Sequence, residues 1–149
     1  MNHFTIILFA LTGGIFLSVQ GGLNAQLGSL LKSPLLASLV AYLFSTLFAF
    51  LLVLFSIKQI PSIQQVKAIP FYLWFSGALF SVLGISLYYY TIPKLGISTM
   101  ISTGLVGQIL FSSLAGHFAW FGLPEEPLDI KRIVGLCAMV IGIVLLNNK

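Results

Sequence analysis

The sequence predicts an all-α, polytopic membrane protein, with five transmembrane helices in one domain covering residues 1–149. Of its 149 residues, 58% are hydrophobic and only 7% are charged, against about 25% charged in an average globular domain. All three acidic residues fall within residues 125–129. The other segments contain apolar runs of the roughly 17 to 25 residues that cross about 30 Å of hydrocarbon. The chain is therefore predicted to lie in a lipid bilayer.

The first two spans are expected at about residues 4–31 and 35–57. They are separated at Lys32, Ser33 and Pro34, because the residue before a proline disfavours the helical conformation. The segment Met1–Phe4 lacks the basic region of a signal peptide, and no cleavage site of the A-x-A type follows. The first apolar run is therefore interpreted as a span.

The third span is expected at about residues 70–92, with Pro70 in its first turn, where a missing N–H costs nothing. The polar segment Gln59–Ile69 before it is predicted to be an interfacial loop. Pro93–Gly96 is predicted to form the turn that follows.

The fourth and fifth spans are expected at about residues 97–118 and 130–147. The segment Gly122–Asp129 between them holds two prolines, which prevent the helix from continuing. Asp129 is a candidate N-cap for the fifth span, because its carboxylate can accept from the first free N–H groups of a helix.

Small residues in the spans indicate close helix packing. Gly14, Ser18 and Gly22 recur every four residues in the first span, a pattern that lets another helix approach. Gly104 and Gly142 are assigned the same role in the fourth and fifth spans.

Two carboxamides, Gln20 and Asn24, form a second stripe on the first span together with Gly28. An unpaired amide in hydrocarbon costs several kcal/mol, so each needs a partner. Two hypotheses stay open: the amides hold neighbouring helices together, or they line a polar pathway.

The fourth span repeats the pattern, with Gln108 and Ser112 in register with Gly104. If this stripe faces that of the first span, the two would enclose a cavity. His117, at the end of the span, is either an interfacial histidine or a proton-exchanging group, since its unperturbed pKa is near neutrality. The tyrosines at residues 88–90, with Tyr72 and Trp74, are interpreted as an interfacial belt, in which one ring could stack on a cation.

The chemistry of the remaining residues excludes several classes of function. With every acid in one loop there is no credible Ser/His/Asp arrangement, and no phosphate-binding loop or metal-ligand spacing occurs. We expect no enzyme activity, no cofactor and no metal, and the scattered basic residues do not suggest nucleic acid. The lone Cys137 is interpreted as a packing residue.

The distribution of basic residues gives almost no preference for one orientation of the chain in the membrane. Five spans place the termini on opposite sides, with four Lys and Arg on the N-terminal side and three on the other (Lys58, Lys67, Lys131 and Arg132 against Lys32, Lys94 and Lys149). Either the chain inserts one way with a slight bias, or copies insert both ways and pair antiparallel, forming an inverted repeat.

Separated motifs along the chain resemble the YdcZ-like family of small bacterial inner-membrane proteins, in the drug/metabolite transporter superfamily. They are residues 20–28 (QGGLNAQLG), 33–37 (SPLLA), 93–96 (PKLG), Gly107-Gln108, His117-Phe118, 121–124 (FGLP), Pro127, Arg132, Gly135 and Gly142. The resemblance implies a five-helix half of a ten-helix carrier, working as an antiparallel homodimer or with a paired homologue. Where the family usually has an acidic residue before the histidine, this chain has Gly116.

Three functions are compatible with these features. The leading hypothesis is a secondary carrier, or half of one, for a small neutral or weakly polar solute, with Gln20, Asn24, Gln108, Ser112 and His117 on the pathway. The alternatives are an accessory or assembly subunit that transports nothing, and a channel for a small uncharged solute.

Overall fold

The computed structural model describes residues 2–57 and 60–147, and these form six α-helices without any strand. They are α1 (His3–Leu30), α2 (Pro34–Ser56), α3 (Ile63–Lys67), α4 (Ser76–Leu95), α5 (Ile97–His117) and α6 (Ile130–Asn147). Five segments are long and apolar enough to cross a membrane: His3–Leu30, Pro34–Ser56, Phe71–Leu95, Ile97–His117 and Ile130–Asn147. The predicted all-α protein with five transmembrane helices is confirmed.

The turn between α1 and α2 is fixed by backbone hydrogen bonds. Lys32 adopts a left-handed conformation, with φ of 52°, its N–H donates to the Ser29 carbonyl, and the Ser33 N–H donates to the Gly28 carbonyl. This pair of bonds is the Schellman motif that ends many helices. The Ser33 hydroxyl then accepts from the Leu36 N–H at 3.3 Å and caps α2.

The segment before the third span is more ordered than predicted. Within the expected loop Gln59–Ile69, of which Gln59 lies outside the described residues, the short helix α3 starts at a capping box formed by Ser62 and Gln65. The S-x-x-Q spacing is the sequence signal for this cap. The expectation that Pro70 opens the third α-helix was wrong, because a 3-10 turn at Phe71–Trp74 follows it and α4 begins only at Ser76.

The end of the third span also differs from the prediction. Pro93 was expected to begin a turn with Gly96, but α4 continues through Pro93 to Leu95. Only Gly96 separates α4 from α5, and its φ of 85° is a conformation that glycine adopts without strain. A proline in the last turn removes one helical hydrogen bond, a smaller disruption than it causes further inside a helix.

The chain divides into two compact units, residues 1–94 and 95–149. In the first unit, the buried residues of α1, α2 and α4 all lie where α1 turns into α2 and where α4 ends (Gly21, Ala25, Gly28, Ala37, Ser38, Tyr89 and Ile92). A Cβ built on Gly28 would lie 3.4 Å from the Ala37 Cβ. Small residues therefore set the spacing of α1 and α2 at this end.

Paired hydroxyls join α2 to α4 in the same unit. The oxygens of Ser38 and Ser86 are 3.1 Å apart, and those of Tyr42 and Ser81 are 2.7 Å apart. Hydrogen bonds of this kind satisfy polar groups that would otherwise be costly in lipid.

In the second unit, the N-terminal part of α5 is joined to the C-terminal end of α6. The Asn147 amide nitrogen donates to the hydroxyl oxygen of Ser102 at 3.0 Å. Met100 and Ala115 are the buried residues of α5, and the described residues of α6 include no buried ones. Large apolar side chains are exposed along all five spans, as a bilayer environment requires.

Replacing Gly28 by Leu is expected to destabilise the first unit by about 1 to 3 kcal/mol, the usual penalty for inserting bulk into a tight contact. Gly28 is suited to the test because its added side chain would meet both Ala37 and Pro34. The measurement is the free energy of unfolding by SDS in mixed micelles, followed by circular dichroism. Gly13→Leu is the matched control, since a Cβ there meets no described atom within 4 Å. Equal stability of the two variants would contradict the prediction.

Candidate functional site

Gln20 and Asn24 share one partner, the hydroxyl of Tyr89 on α4. The Gln20 Nε2 donates to the Tyr89 Oη at 3.3 Å, and the Asn24 Nδ2 donates to the same oxygen at 3.0 Å. We call these three residues the amide–tyrosine cluster. It lies wholly within the first unit.

The local sequence explains why the two helices meet here. Gln20 and Asn24 are one helical turn apart and therefore point to the same side of α1. Gly21 beside them is buried, and a Cβ built on it would lie 3.5 Å from the Ile92 Cδ1. Ile92 is three residues after Tyr89, so the close approach at Gly21 brings the Tyr89 ring alongside the amides.

Burial makes this cluster more than a surface contact. Tyr89 is 1% exposed, and Gln20 and Asn24 are partly buried. A tyrosine hydroxyl can accept two hydrogen bonds and donate one, and each amide also has a carbonyl oxygen that accepts. The cluster thus has more hydrogen-bonding capacity than its two described bonds use.

The cluster lies deep along α1. Counted at about 1.5 Å per residue from Lys32, Asn24 is about 12 Å and Gln20 about 18 Å into the span. Half of a hydrocarbon layer of about 30 Å is about 15 Å. With Lys32 taken as the edge of the hydrocarbon, the two amides bracket the middle of the bilayer.

The three tyrosines at residues 88–90 do not act alike. The belt interpretation was wrong for Tyr89, because its ring is buried against α1. Tyr90 fits the alternative, since the Lys94 Nζ lies 3.4 Å from the centroid of its ring. This cation–π contact holds the ammonium group over an exposed aromatic face.

The small residues that were predicted to pack against other helices are not the ones that form the buried face of α1. Gly21, Ala25 and Gly28 form the buried face of α1, whereas Gly14 is exposed. The Ser18 hydroxyl donates to the Gly14 carbonyl in its own helix. Cβ atoms built on Gly14 or Gly142 would meet no described atom within 4 Å. The ridge of Gly14, Ser18 and Gly22, with Gly104 and Gly142, stays a prediction for packing against other surfaces.

The polar residues predicted on α5 belong to the second unit. Ser112 donates to the Ile109 carbonyl at 3.1 Å, and Gln108 is exposed but has an interaction of its own. The structure describes the two units separately, so the expected meeting of this stripe with Gln20 and Asn24 stays a prediction.

His117 holds the following loop against the end of α5. Its Nδ1 accepts from the Leu128 N–H at 3.3 Å, which makes Nδ1 the unprotonated nitrogen in this arrangement. The Glu126 N–H donates to the Gly116 carbonyl at 2.9 Å. A Cβ built on Gly116 would lie 3.3 Å from the Glu126 Cβ, so glycine at 116 allows the loop to pack this closely.

The same loop begins α6 and carries an ion pair. The Asp129 Oδ1 accepts from the Arg132 N–H at 2.8 Å, which confirms Asp129 as the N-cap. The Arg132 Nη1 is 3.0 Å from the Glu126 Oε2.

A groove opens beside this ion pair, between α5, the loop and α6. Its volume is 880 Å³, and both Glu126 and Arg132 line it. Its walls are otherwise mainly apolar and include Phe111, Trp120 and Met139. We call it the interfacial groove. Among residues 2–57 and 60–147, there is no group of three His, Cys, Asp or Glu residues that could hold a metal ion.

The family of the chain follows from a match over nearly its whole length. A family model described as "Putative inner membrane exporter, YdcZ" matches residues 5–145. The chain belongs to this family. No curated protein and no solved structure is detectably similar to it. Membership confirms the resemblance found in the sequence and indicates a multi-pass inner-membrane transporter rather than an enzyme.

Sequence reasoning missed Tyr89 as the partner of both amides. The available signal was its spacing, because Tyr89 and Ile92 are three residues apart and lie on one face of α4. This face was not recognised because Tyr89 is one of three consecutive tyrosines, a run that is equally typical of an interfacial belt. The Glu126–Arg132 pair was likewise missed, although only five residues lie between its members.

Replacing Tyr89 by Phe is expected to destabilise the first unit by about 1 kcal/mol, since hydrogen bonds inside membranes contribute about 0.6 kcal/mol each and two are lost. The free energy of unfolding in SDS-containing mixed micelles measures the effect. Tyr72→Phe is the control, because Tyr72 is exposed. If both variants are as stable as the parent, the hydrogen bonds to the Tyr89 hydroxyl do not stabilise the fold.

Proposed function

We propose that the chain is half of a secondary exporter for a small neutral or weakly polar solute, and that two copies assemble antiparallel around a shared site. The amide–tyrosine cluster would recognise the solute, and Gln108, Ser112 and His117 would line the solute pathway. No cofactor is required in this scheme.

The observation that carries the proposal is the cluster itself. The spans of the described chain hold three neutral polar groups at one point, at a depth where transporters place their substrate sites. Their free hydrogen-bonding capacity suits a solute with its own donors and acceptors. The acidic residues all lie in the loop before α6, so a carboxylate-based exchange of cations for protons finds no support in the spans.

Antiparallel assembly is supported by charge and by size. The Lys and Arg count of four against three gives little bias to insertion. Five spans per copy would give ten in a dimer, with the two-fold axis supplying the inverted repeat that many carriers contain within one chain.

One observation favours a rival function, an accessory subunit that transports nothing. Both amides already donate hydrogen bonds to the Tyr89 hydroxyl. This is the arrangement expected if their only role is to join α1 to α4. A channel for an uncharged solute is the other alternative, and its flux would rise with concentration without saturating.

Two roles of Gln20 and Asn24, binding the transported solute and joining helices, predict different effects of substitutions on transport. We expect Gln20→Leu with Asn24→Leu to reduce saturable efflux at least tenfold in reconstituted vesicles, while the assembled protein remains. The probes are radiolabelled glycerol, a monosaccharide and an N-acetylated amino-acid amide, each tested separately. Tyr89→Phe should retain more efflux than the double variant, because it leaves both amides able to bind solute.

Gln26→Leu is the matched control, since it removes an amide from an exposed position of the same helix. If the double variant and Tyr89→Phe lose stability and efflux in parallel, the amides are structural. Saturable efflux that is unchanged in the double variant would place the solute site elsewhere.

Dual topology predicts labelling from both faces of the membrane. A cysteine is introduced at Glu125, in the exposed loop, after Cys137→Ala removes the native thiol. We expect a membrane-impermeant maleimide to label about half of the molecules from each side. Labelling from one side only would eliminate the antiparallel homodimer and leave a paired homologue as the alternative.

A further inference from the structure

We propose that the interfacial groove binds one phospholipid with a zwitterionic, primary-ammonium headgroup. Arg132 would bind its phosphate and Glu126 its ammonium, and an acyl chain would lie along the apolar wall. The proposal concerns the second unit alone, and the groove shares one lining residue, Ser112, with the proposed solute pathway.

The position of the groove fits a lipid. It begins at the end of α5 and the start of α6, where Trp120 and Lys131 mark the headgroup level. Phe111 is six residues before the end of α5, or about 9 Å, and Met139 is nine residues into α6, or about 14 Å. The groove therefore runs from headgroup depth into the hydrocarbon.

The chemistry of the lining changes along this depth in the same sense. The ion pair of Glu126 and Arg132 lies at the loop end, and Phe111, Leu136 and Met139 belong to the helices below it. A polar mouth above an apolar wall matches an amphiphile. The volume of 880 Å³ falls within the range of about 300 to 1,000 Å³ typical of ligand sites, enough for a headgroup and part of a chain.

The charges favour a zwitterion over an anionic lipid. The ion pair is half-exposed, at 45% for Arg132 and 63% for Glu126, so both groups have hydrogen-bonding sites left for a ligand. Residues 125–132 contain three acids and two bases, a net charge of −1, which opposes a second anion. A primary ammonium can donate to the Glu126 carboxylate, whereas a quaternary ammonium has no N–H to donate.

Lipid selectivity of the purified full chain tests the proposal. Thermal unfolding in a mild detergent is compared with dioleoyl phosphatidylethanolamine, phosphatidylcholine or phosphatidylglycerol added at equal concentrations. We expect phosphatidylethanolamine to raise the midpoint by several degrees more than either other lipid, as binding to the folded state requires. Equal shifts with ethanolamine and choline headgroups would overturn the proposal.

Charge variants identify the groups involved. Glu126→Gln should abolish the preference for ethanolamine over choline, and Arg132→Gln should weaken the response to all three lipids. Glu125→Gln and Lys131→Gln are the matched controls, because they make the same charge changes outside the groove lining. If Glu126→Gln and Glu125→Gln behave alike, Glu126 does not bind the headgroup and the proposal fails.

A filling variant keeps the test decisive if a charge variant misfolds. Gly135 lines the groove, and a Cβ there meets no described atom within 4 Å, so Gly135→Leu should occupy the groove and remove the lipid response while preserving the ion pair. Gly107→Leu on α5 is its control, since a Cβ there also meets no described atom within 4 Å and Gly107 does not line the groove. A change of oligomeric state in Gly135→Leu with an unchanged lipid response would assign the groove to a second copy. Equal stabilisation by glycerophosphoethanolamine, which has no acyl chains, would assign it to a soluble solute, and either outcome overturns the proposal.

Discussion

The hydrogen bonding of neutral amides inside lipid is the constraint on which the first unit depends. Hydrocarbon offers no water, so Gln20 and Asn24 must find partners in protein. One hydroxyl, that of Tyr89, serves both. This fixes the rotation of α1 and α4 about their axes, and the glycine between the two amides makes the approach possible. Helix packing therefore draws on the same atoms that we propose for solute recognition.

The second unit is constrained by charge rather than by neutral amides, because all the acidic residues of the chain lie in the loop before α6. The Glu126 N–H donates to the Gly116 carbonyl and the Leu128 N–H donates to the His117 Nδ1. These bonds fold the loop onto the end of α5, and Asp129 begins the next helix. Glu126 is thereby positioned opposite Arg132. Charge that would be expensive deeper in the membrane stays at its edge, where water and lipid headgroups can solvate it.

The five spans were predictable because length and hydropathy alone decide what crosses a bilayer. The ends of the third span were not, since Pro70 permits a 3-10 turn as readily as an α-helical one, and Pro93 is tolerated in a final turn. The partner of Gln20 and Asn24 depends on which face α4 presents, which is a tertiary property. In the same way, the fold of the loop over Gly116 depends on contacts that no periodic pattern encodes.

Pro93 has a mechanical consequence for the residue one turn before it. In a regular helix the N–H at position 93 would bond to the carbonyl of Tyr89, and proline has no such N–H. α4 therefore lacks one backbone hydrogen bond directly beside the side chain that holds both amides. A bend of α4 at this point would move Ile92 relative to Gly21, so the missing bond lies where the end of the span and its contact with α1 are mechanically linked.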